Sequence, residues 1–198
     1  GKGFKIACNP RLKVLDLSFA QLDSRAFKAL SGLISQSLGL ETLVLDMNNM
    51  HNDDLRSVIP SLRRHPSLSH LSFSGCKIED AAMEFIAFGL KSNGNITTLE
   101  LSSNKVTPLG LQVLMDAVRQ GACRNLRELD LSYNDLGEEG VLALTKCMAQ
   151  GKLPNLESLI LKQVGATQQS LLSLMDALCT GTGATSLRHL DVSGNELH

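Results

Sequence analysis

Apolar residues along the chain follow two alternating rhythms. The first is Leu-x-x-Leu-x-Leu-x-x-Asn-x-Leu, clearest at Leu126, Leu129, Leu131, Asn134 and Leu136. Copies begin at Leu12, Leu40, Leu68, Ile96, Leu126, Leu156 and Leu187, spaced by 28, 28, 28, 30, 30 and 31 residues. The Leu-x-Leu core alternates at period two, the geometry of a strand with one buried face. The second rhythm runs at i, i+3, i+4 and i+7, one face of a helix. It reads Leu55, Val58, Ile59, Leu62, then Met83, Ile86, Ala87, Leu90, then Leu111, Leu114, Met115, Val118, then Leu171, Leu174, Met175, Leu178. Phe27, Leu30 and Ile34 in the first repeat, and Val141, Leu144 and Met148 in the fifth, keep three of the four positions. Each repeat therefore reads as strand, turn and helix. A fixed period of this length means a stacked solenoid.

Local signals place the helix starts. Thr107-Pro108 is an N-cap followed by proline at the first helical position. Asp23, Asp53 and Thr167 are expected to cap their helices. The extra residues of the later repeats fall after the helices, in Gly121-Ala122-Cys123, Gly151-Lys152-Leu153-Pro154 and Gly181-Thr182-Gly183. Loops absorb insertions at small cost, so strands and helices keep their register.

Composition narrows the class. Apolar residues make up 43% of the chain and aromatic ones 4%, so leucine fills the interior. The net charge of −1 gives no general attraction to nucleic acid. No apolar run is long enough for a membrane span. The cysteines (Cys8, Cys76, Cys123, Cys147 and Cys179) show no C-x-x-C spacing, so neither a metal site nor a cofactor is expected. Scattered cysteines without paired caps read as reduced thiols of a cytoplasmic protein, a nuclear one being the alternative. No break interrupts the period, so residues 1–198 read as a single α/β domain and as a fragment of a longer protein. Short nucleotide-binding, zinc-protease and serine-hydrolase motifs do not occur, and no catalytic residue is assigned.

A full helix in every repeat of 28 to 31 residues resembles the ribonuclease-inhibitor-like class of leucine-rich repeat proteins. That class also includes the Ran GTPase-activating protein and the sensor domains of cytosolic immune receptors. The resemblance covers residues 8 to 198 and implies a horseshoe. Seven parallel strands would line the concave face and helices the convex face. It also implies partner proteins bound on the concave side. Three functions follow from it: an interaction scaffold first, then a GTPase activator, then the ligand-sensing part of an immune receptor.

The alternation also sorts the outward residues. With the leucines inward, three columns face the concave surface. They contain the acids Asp16, Asp46, Glu100, Glu128, Asp130 and Asp191, against one fixed cation, Lys162. A face so acidic suits a partner with a basic segment. Part of the acidity is also the habitual Leu-Asp-Leu-Ser wording of the strands. The position after the third column holds Phe19, Met47 and Tyr133, large side chains of the kind that anchor interfaces. Phe19 and Met47 have inward packing as an alternative. On the helices, only the third repeat places aromatics, Phe85 and Phe88, on the face that elsewhere carries small or polar residues. They mark either a second contact surface or packing against a neighbouring helix. At the turns, Asn48, Asn104, Asn134 and Asn195 are expected to form a buried ladder that satisfies backbone groups. Cys76 takes this place in the third repeat. Ala20 and Val164 cannot make the bonds, so less regular turns are expected there. The histidines read as surface residues. Oligomeric state is not encoded in any of these features.

Overall fold

The computed structural model describes residues 11–180 and 186–195. Seven strands form one parallel sheet in chain order: β1 Val14–Asp16, β2 Thr42–Val44, β3 His70–Ser72, β4 Thr98–Glu100, β5 Glu128–Asp130, β6 Ser158–Ile160 and β7 His189–Asp191. Between them run α1 Ser24–Gln36, α2 Asn52–Leu62, α3 Asp80–Ser92, α4 Pro108–Arg119, α5 Gly137–Ala149 and α6 Gln168–Cys179. Register is constant, so Leu15, Leu43, Leu71, Leu99, Leu129, Leu159 and Leu190 stack as successive partners. The inward strand leucines and the helix stripe meet in one continuous core: Leu43, Leu99, Leu129, Leu55, Met83 and Leu144 are among its fully buried members. Truncating any of them to alanine would cost about 2–5 kcal/mol, transfer and cavity terms together.

Helix entry follows from side-chain caps. The Asp23 carboxylate accepts the Ala26 amide, and Thr107 and Thr167 cap α4 and α6. Asp53 does not cap α2. His51 holds that position, and the box is closed by Asp54, whose buried carboxylate accepts the His51 amide at 2.9 Å. Asp53 is the second helical residue, past the cap position, and its carboxylate points to solvent beside Arg56. The caps also link repeats: the Thr107 hydroxyl donates to Asp80 at 2.6 Å, and that of Thr167 to Glu138 at 2.5 Å.

Every strand ends in the same way. Phe19, Met47, Gly75, Ser103, Tyr133, Gln163 and Gly194 all adopt positive φ, between 46° and 72°. Only glycine takes this conformation freely. Other residues pay on the order of 1 kcal/mol for it. The turn that follows exists in two forms. Where the next residue is Asn48, Asn104 or Asn134, the chain returns at once to negative φ. Where it is Ala20, Cys76 or Val164, a second left-handed residue follows, Gln21, Lys77 or Gly165. The reason lies in the repeat before. Asn48, Asn104 and Asn134 each present an amide oxygen to a backbone N–H there, at Leu22, Ile78 and Val106. At Cys76 and Val164 the main-chain carbonyl takes over, accepting from Met50 at 3.1 Å and Gly137 at 2.9 Å. Turning that carbonyl round forces the extra positive φ. Cys76 is therefore no equivalent of asparagine: its single S–H reaches the Leu45 carbonyl, but it has no acceptor aimed at Met50.

The segments after the later helices are more than slack. Ala122, Cys123 and Leu153 are buried and plug the space beneath the helix ends, while Gly121, Cys123 and Gly151 make the reversal at positive φ. Gly181–Gly183 lies outside the described residues.

Candidate functional site: the concave face and its rim

The outward columns run across the sheet as the alternation requires, but their residues are unequally available. Ser72 and Ser132 are buried by their neighbours, whereas Asp16 and Glu128 are exposed. Several acids have a structural duty. One carboxylate oxygen of Asp16, Asp130 and Asp191 accepts the amide of Ser18, Ser132 and Ser193 at 2.9–3.0 Å, closing the end of its own strand. Asp46 does this for the next repeat, taking the Ser74 amide at 2.9 Å and the Ser72 hydroxyl at 2.5 Å. The habitual wording of the strands thus has a cause, and each of these carboxylates keeps a second oxygen for other partners.

The sheet brings three acids from different repeats into one field. Glu100 is half-buried, and its carboxyl is pushed above the usual range, first by burial and then by the charges of Asp46 and Asp130. His70, with Nε2 3.3 Å from Glu100 Oε1, and the Ser72 hydroxyl oppose that shift. Lys162 does not neutralise the group. Its ammonium sits 3.1 Å from Asp191, which raises the lysine, and the Asp191 carboxyl is held down at about 2, first by its bonds to Ser193 and then by Lys162. Asp16, at the far end of the sheet, is lowered by its bonds to Ser18. The carboxylates of Asp46, Glu100 and Asp130 therefore share a patch whose fixed cation, Lys162, is bonded to Asp191 and reaches only Asp130 among them by its charge.

The rim beside this patch is set by the left-handed residues. Phe19 is 72% exposed, Met47 47% and Tyr133 50%. Phe19 and Met47 do not fold inward, and Met47 instead lies across Gly75, whose missing Cβ makes room for its sulfur. Tyr133 edges an open cavity of about 560 Å³ with Lys105, Thr107, Asp135 and Gln163. Asn134 lies behind it, with Nδ2 donating to the carbonyls of Leu101 and Leu131 at 2.9 Å and Oδ1 occupied by Val106. Asn48, Asn104 and Asn195 are bonded in the same way. The N–H groups of these amides are committed to backbone carbonyls, and their oxygens to backbone N–H groups of the repeat before.

On the opposite side, Phe85 and Phe88 do not pair with each other alone. Arg56 lies over the Phe85 ring at 5.3 Å and Arg63 over the Phe88 ring at 4.1 Å. Phe85 is partly buried against the core, and Phe88 is 51% exposed.

A second ladder was not anticipated from the chain. His65 is a buried residue rather than a surface one: Nε2 donates to the Ser37 carbonyl at 3.2 Å and Nδ1 accepts the Leu68 amide at 3.1 Å. Asn93 and Asn95 continue this row, donating to the carbonyls of Leu62 and His65, and Asn125 and Asn155 extend it to Gly94 and Arg124. Asn95, Asn125 and Asn155 each immediately precede a repeat's opening Leu or Ile, a signal as regular as the turn asparagines. Cys76, Cys123 and Cys147 are buried free thiols and Cys179 an exposed one. Burial raises Cys76 to about 11 and Cys123 to about 12, values that suppress thiolate chemistry. Cys8 lies outside the described residues. Among the described residues no group of His, Cys, Asp or Glu is placed to hold a metal ion, and no helix is long and apolar enough to cross a membrane.

Comparison with known proteins agrees with this geometry. A family model described as Leucine Rich repeat matches residues 64–87, 92–115, 122–144 and 183–198. The chain is 30% identical over 116 residues to human NACHT, LRR and PYD domains-containing protein 12, covering 58% of this chain and 11% of that protein. It is 28% identical over 122 residues to mouse NACHT, LRR and PYD domains-containing protein 4E, covering 60% and 12%. The chain thus spans about a tenth of the length of these relatives. Among solved structures, the tropomodulin C-terminal domain of Caenorhabditis elegans superposes with a TM-score of 0.60 at 15% identity, covering 79% of this chain and 92% of that one. Leiomodin-1 Actin-Binding Site 2 superposes with a TM-score of 0.62 at 17% identity, covering 77% and 87%. At such identities the likeness concerns the fold.

Proposed function

We propose that this chain, a leucine-rich repeat protein of the ribonuclease-inhibitor-like type, is a protein-recognition module whose partner docks on the concave face around the fourth and fifth repeats. One observation carries the reading. Glu100 is held half-buried between Asp46 and Asp130, and the lysine of that surface is already paired. Such a patch is stabilised by a cation delivered from outside, so a partner presenting Lys or Arg gains affinity that a neutral one does not. Tyr133 supplies the apolar anchor at the rim, with Glu128, exposed, in the outer ring. Asp16, Asp46, Lys162 and Asp191 complete the surface as contacts of lesser weight, because their charges already serve strand ends or each other.

The likeness to NACHT, LRR and PYD domains-containing proteins supports a second reading of setting: a ligand-sensing segment within a larger receptor. A GTPase activator is the weaker alternative, because the polar side chains nearest the strand ends, Asn104 and Asn134, are consumed by backbone bonds. Buried thiols suit a reducing compartment, so we place the protein in the cytoplasm, with the nucleus as alternative.

The test uses an immobilised peptide of alternating Arg and Leu as the probe. Charge reversal at Glu128 or Asp130 lowers the association rate, and less so at high salt, where screening shortens the field. Tyr133→Ala leaves association unchanged and speeds dissociation. Rates that are indifferent to all three substitutions would reject the concave site.

A further inference from the structure

His70 is the basic side chain in direct contact with the acidic patch of the concave face. It stands on β3 opposite Thr98 of β4, and its Nε2 lies 3.3 Å from Glu100 Oε1 on that next strand. The other bases of the outward columns are occupied or distant. Lys162 is bonded to Asp191. His189, on β7, is three strands from Glu100, about 14 Å at about 4.8 Å per strand. The charged groups facing His70 from the neighbouring strands are acids. On β2 it faces Thr42, with Val44 and then Asp46 beyond; on β4 it faces Thr98 and Glu100; on β5 follow Glu128 and Asp130. Its own strand adds only Ser72. Glu41, just before β2, is bonded to Lys13.

The contact is poorly suited to holding the strands together. It is long, and the two side chains remain 31% and 35% exposed, where an ion pair adds little to stability. The backbone already fixes the register, with the His70 amide donating to the Glu41 carbonyl at 3.0 Å. What the contact does offer is a change of charge. Histidine is the side chain that ordinarily titrates between about pH 5 and pH 8. With a neutral imidazole, the carboxylates of Asp46, Glu100 and Asp130 have no cation in contact with them. With an imidazolium, a positive charge lies against Glu100 Oε1. Burial pushes the Glu100 carboxyl up, and the charge of His70 opposes this, so imidazolium and carboxylate persist together as an internal pair.

We propose that His70 is a pH-sensitive competitor for the partner's cation: the neutral imidazole leaves Glu100 open to a Lys or Arg of the partner, and the imidazolium takes that carboxylate and releases the partner. The proposal rests on the concave reading above and adds its regulation. Partner and proton compete for one site, so the coupling is reciprocal: a cation bound at Glu100 disfavours the proton on His70 to the degree that the proton weakens the partner. Mild acidification therefore loosens the complex.

The test uses the immobilised Arg and Leu peptide, which has no side chain that titrates in the window, at about pH 7.5 and about pH 6. Wild-type affinity should fall by about threefold or more at the lower pH. His70→Gln keeps a hydrogen-bond donor without the charge, and should bind at both values within about twofold of the wild type at the higher one. His70→Lys carries the charge throughout and should bind weakly at both. Opposite effects of Gln and Lys are not expected of a side chain that merely braces the sheet. Matched thermal melts check the fold, and if His70→Lys melts early, the comparison with His70→Gln decides. An equal fall in His70→Gln would overturn the proposal and assign the pH dependence to another group, and wild-type affinity at about pH 7.5 in a folded His70→Lys would overturn it as well. These outcomes leave the concave site standing. Absence of saturable binding by the wild type at both values would remove the concave reading and the switch with it.

Discussion

Asn134→Ala removes all the buried hydrogen bonds of one side-chain amide at once. Its side chain is 4% exposed, with Nδ2 shared between the carbonyls of Leu101 and Leu131 and Oδ1 receiving the amide of Val106, itself fully buried. The orphaned N–H is the largest loss, about 1–3 kcal/mol, because a buried donor has no second option. Each carbonyl loses about 0.5–1.5 kcal/mol. Relaxation and water entry recover part of this, which leaves about 3 kcal/mol. With a urea dependence of about 2–3 kcal/mol per molar, the unfolding midpoint should fall by about 1–1.5 M. Ala20→Ser is the control. Ala20 is exposed and its turn already uses the second, doubly left-handed form, so the change should stay within about 0.5 kcal/mol. Urea melts followed by circular dichroism decide the matter. Equal midpoints for the two variants would refute the assignment of the ladder.

Glu100→Gln should stabilise the protein at neutral pH. The folded state raises this carboxyl, so its stabilising contribution is present below its ordinary value and lost as pH rises through the folded one. Melts at pH 4 and pH 7 should show the gain of the variant only at the higher pH, and a gain that is the same at both would contradict the cause given. His65→Ala should destabilise by about 2–4 kcal/mol, since it vacates a buried ring and orphans the Leu68 amide; a midpoint within error of wild type would return His65 to the surface class. Tyr133→Gly should be about 1 kcal/mol more stable than Tyr133→Ala, because glycine accepts the positive φ without strain. Equal melts of those two would show that the turn relaxes.

The repeat made most of the fold legible. Leucines at fixed offsets carry both the strand register and the helix stripe, because each must enter the same core layer. Most of what the pattern did not disclose depends on contacts between repeats, and one miss is local. Asp53 is a good cap by type, but His51 and Asp54 occupy the box. Cys76 stands in an asparagine's place, but only coordinates show that a turned carbonyl does the amide's work. The row from His65 through Asn95 and Asn125 is regular in the sequence, yet it lies in loops, and only contacts with the preceding repeat show that these side chains bond its carbonyls. At the candidate site the outward columns were readable from alternation alone. The pairing of Lys162 with Asp191 and of His70 with Glu100 arises from neighbouring strands and has no trace in a single repeat.

The central claim is that the concave face at Tyr133 is where a partner binds, and site-specific photocrosslinking tests it most directly. Benzoylphenylalanine placed at Tyr133, and separately at Phe88, is irradiated in cells and the adducts are identified by mass spectrometry. The account predicts a discrete protein adduct from position 133 that disappears when Glu128 and Asp130 are reversed to lysine. Any adduct from position 88 should survive that reversal. A position-133 adduct indifferent to the reversal, or adducts from position 88 alone, would move the recognition surface off the concave face.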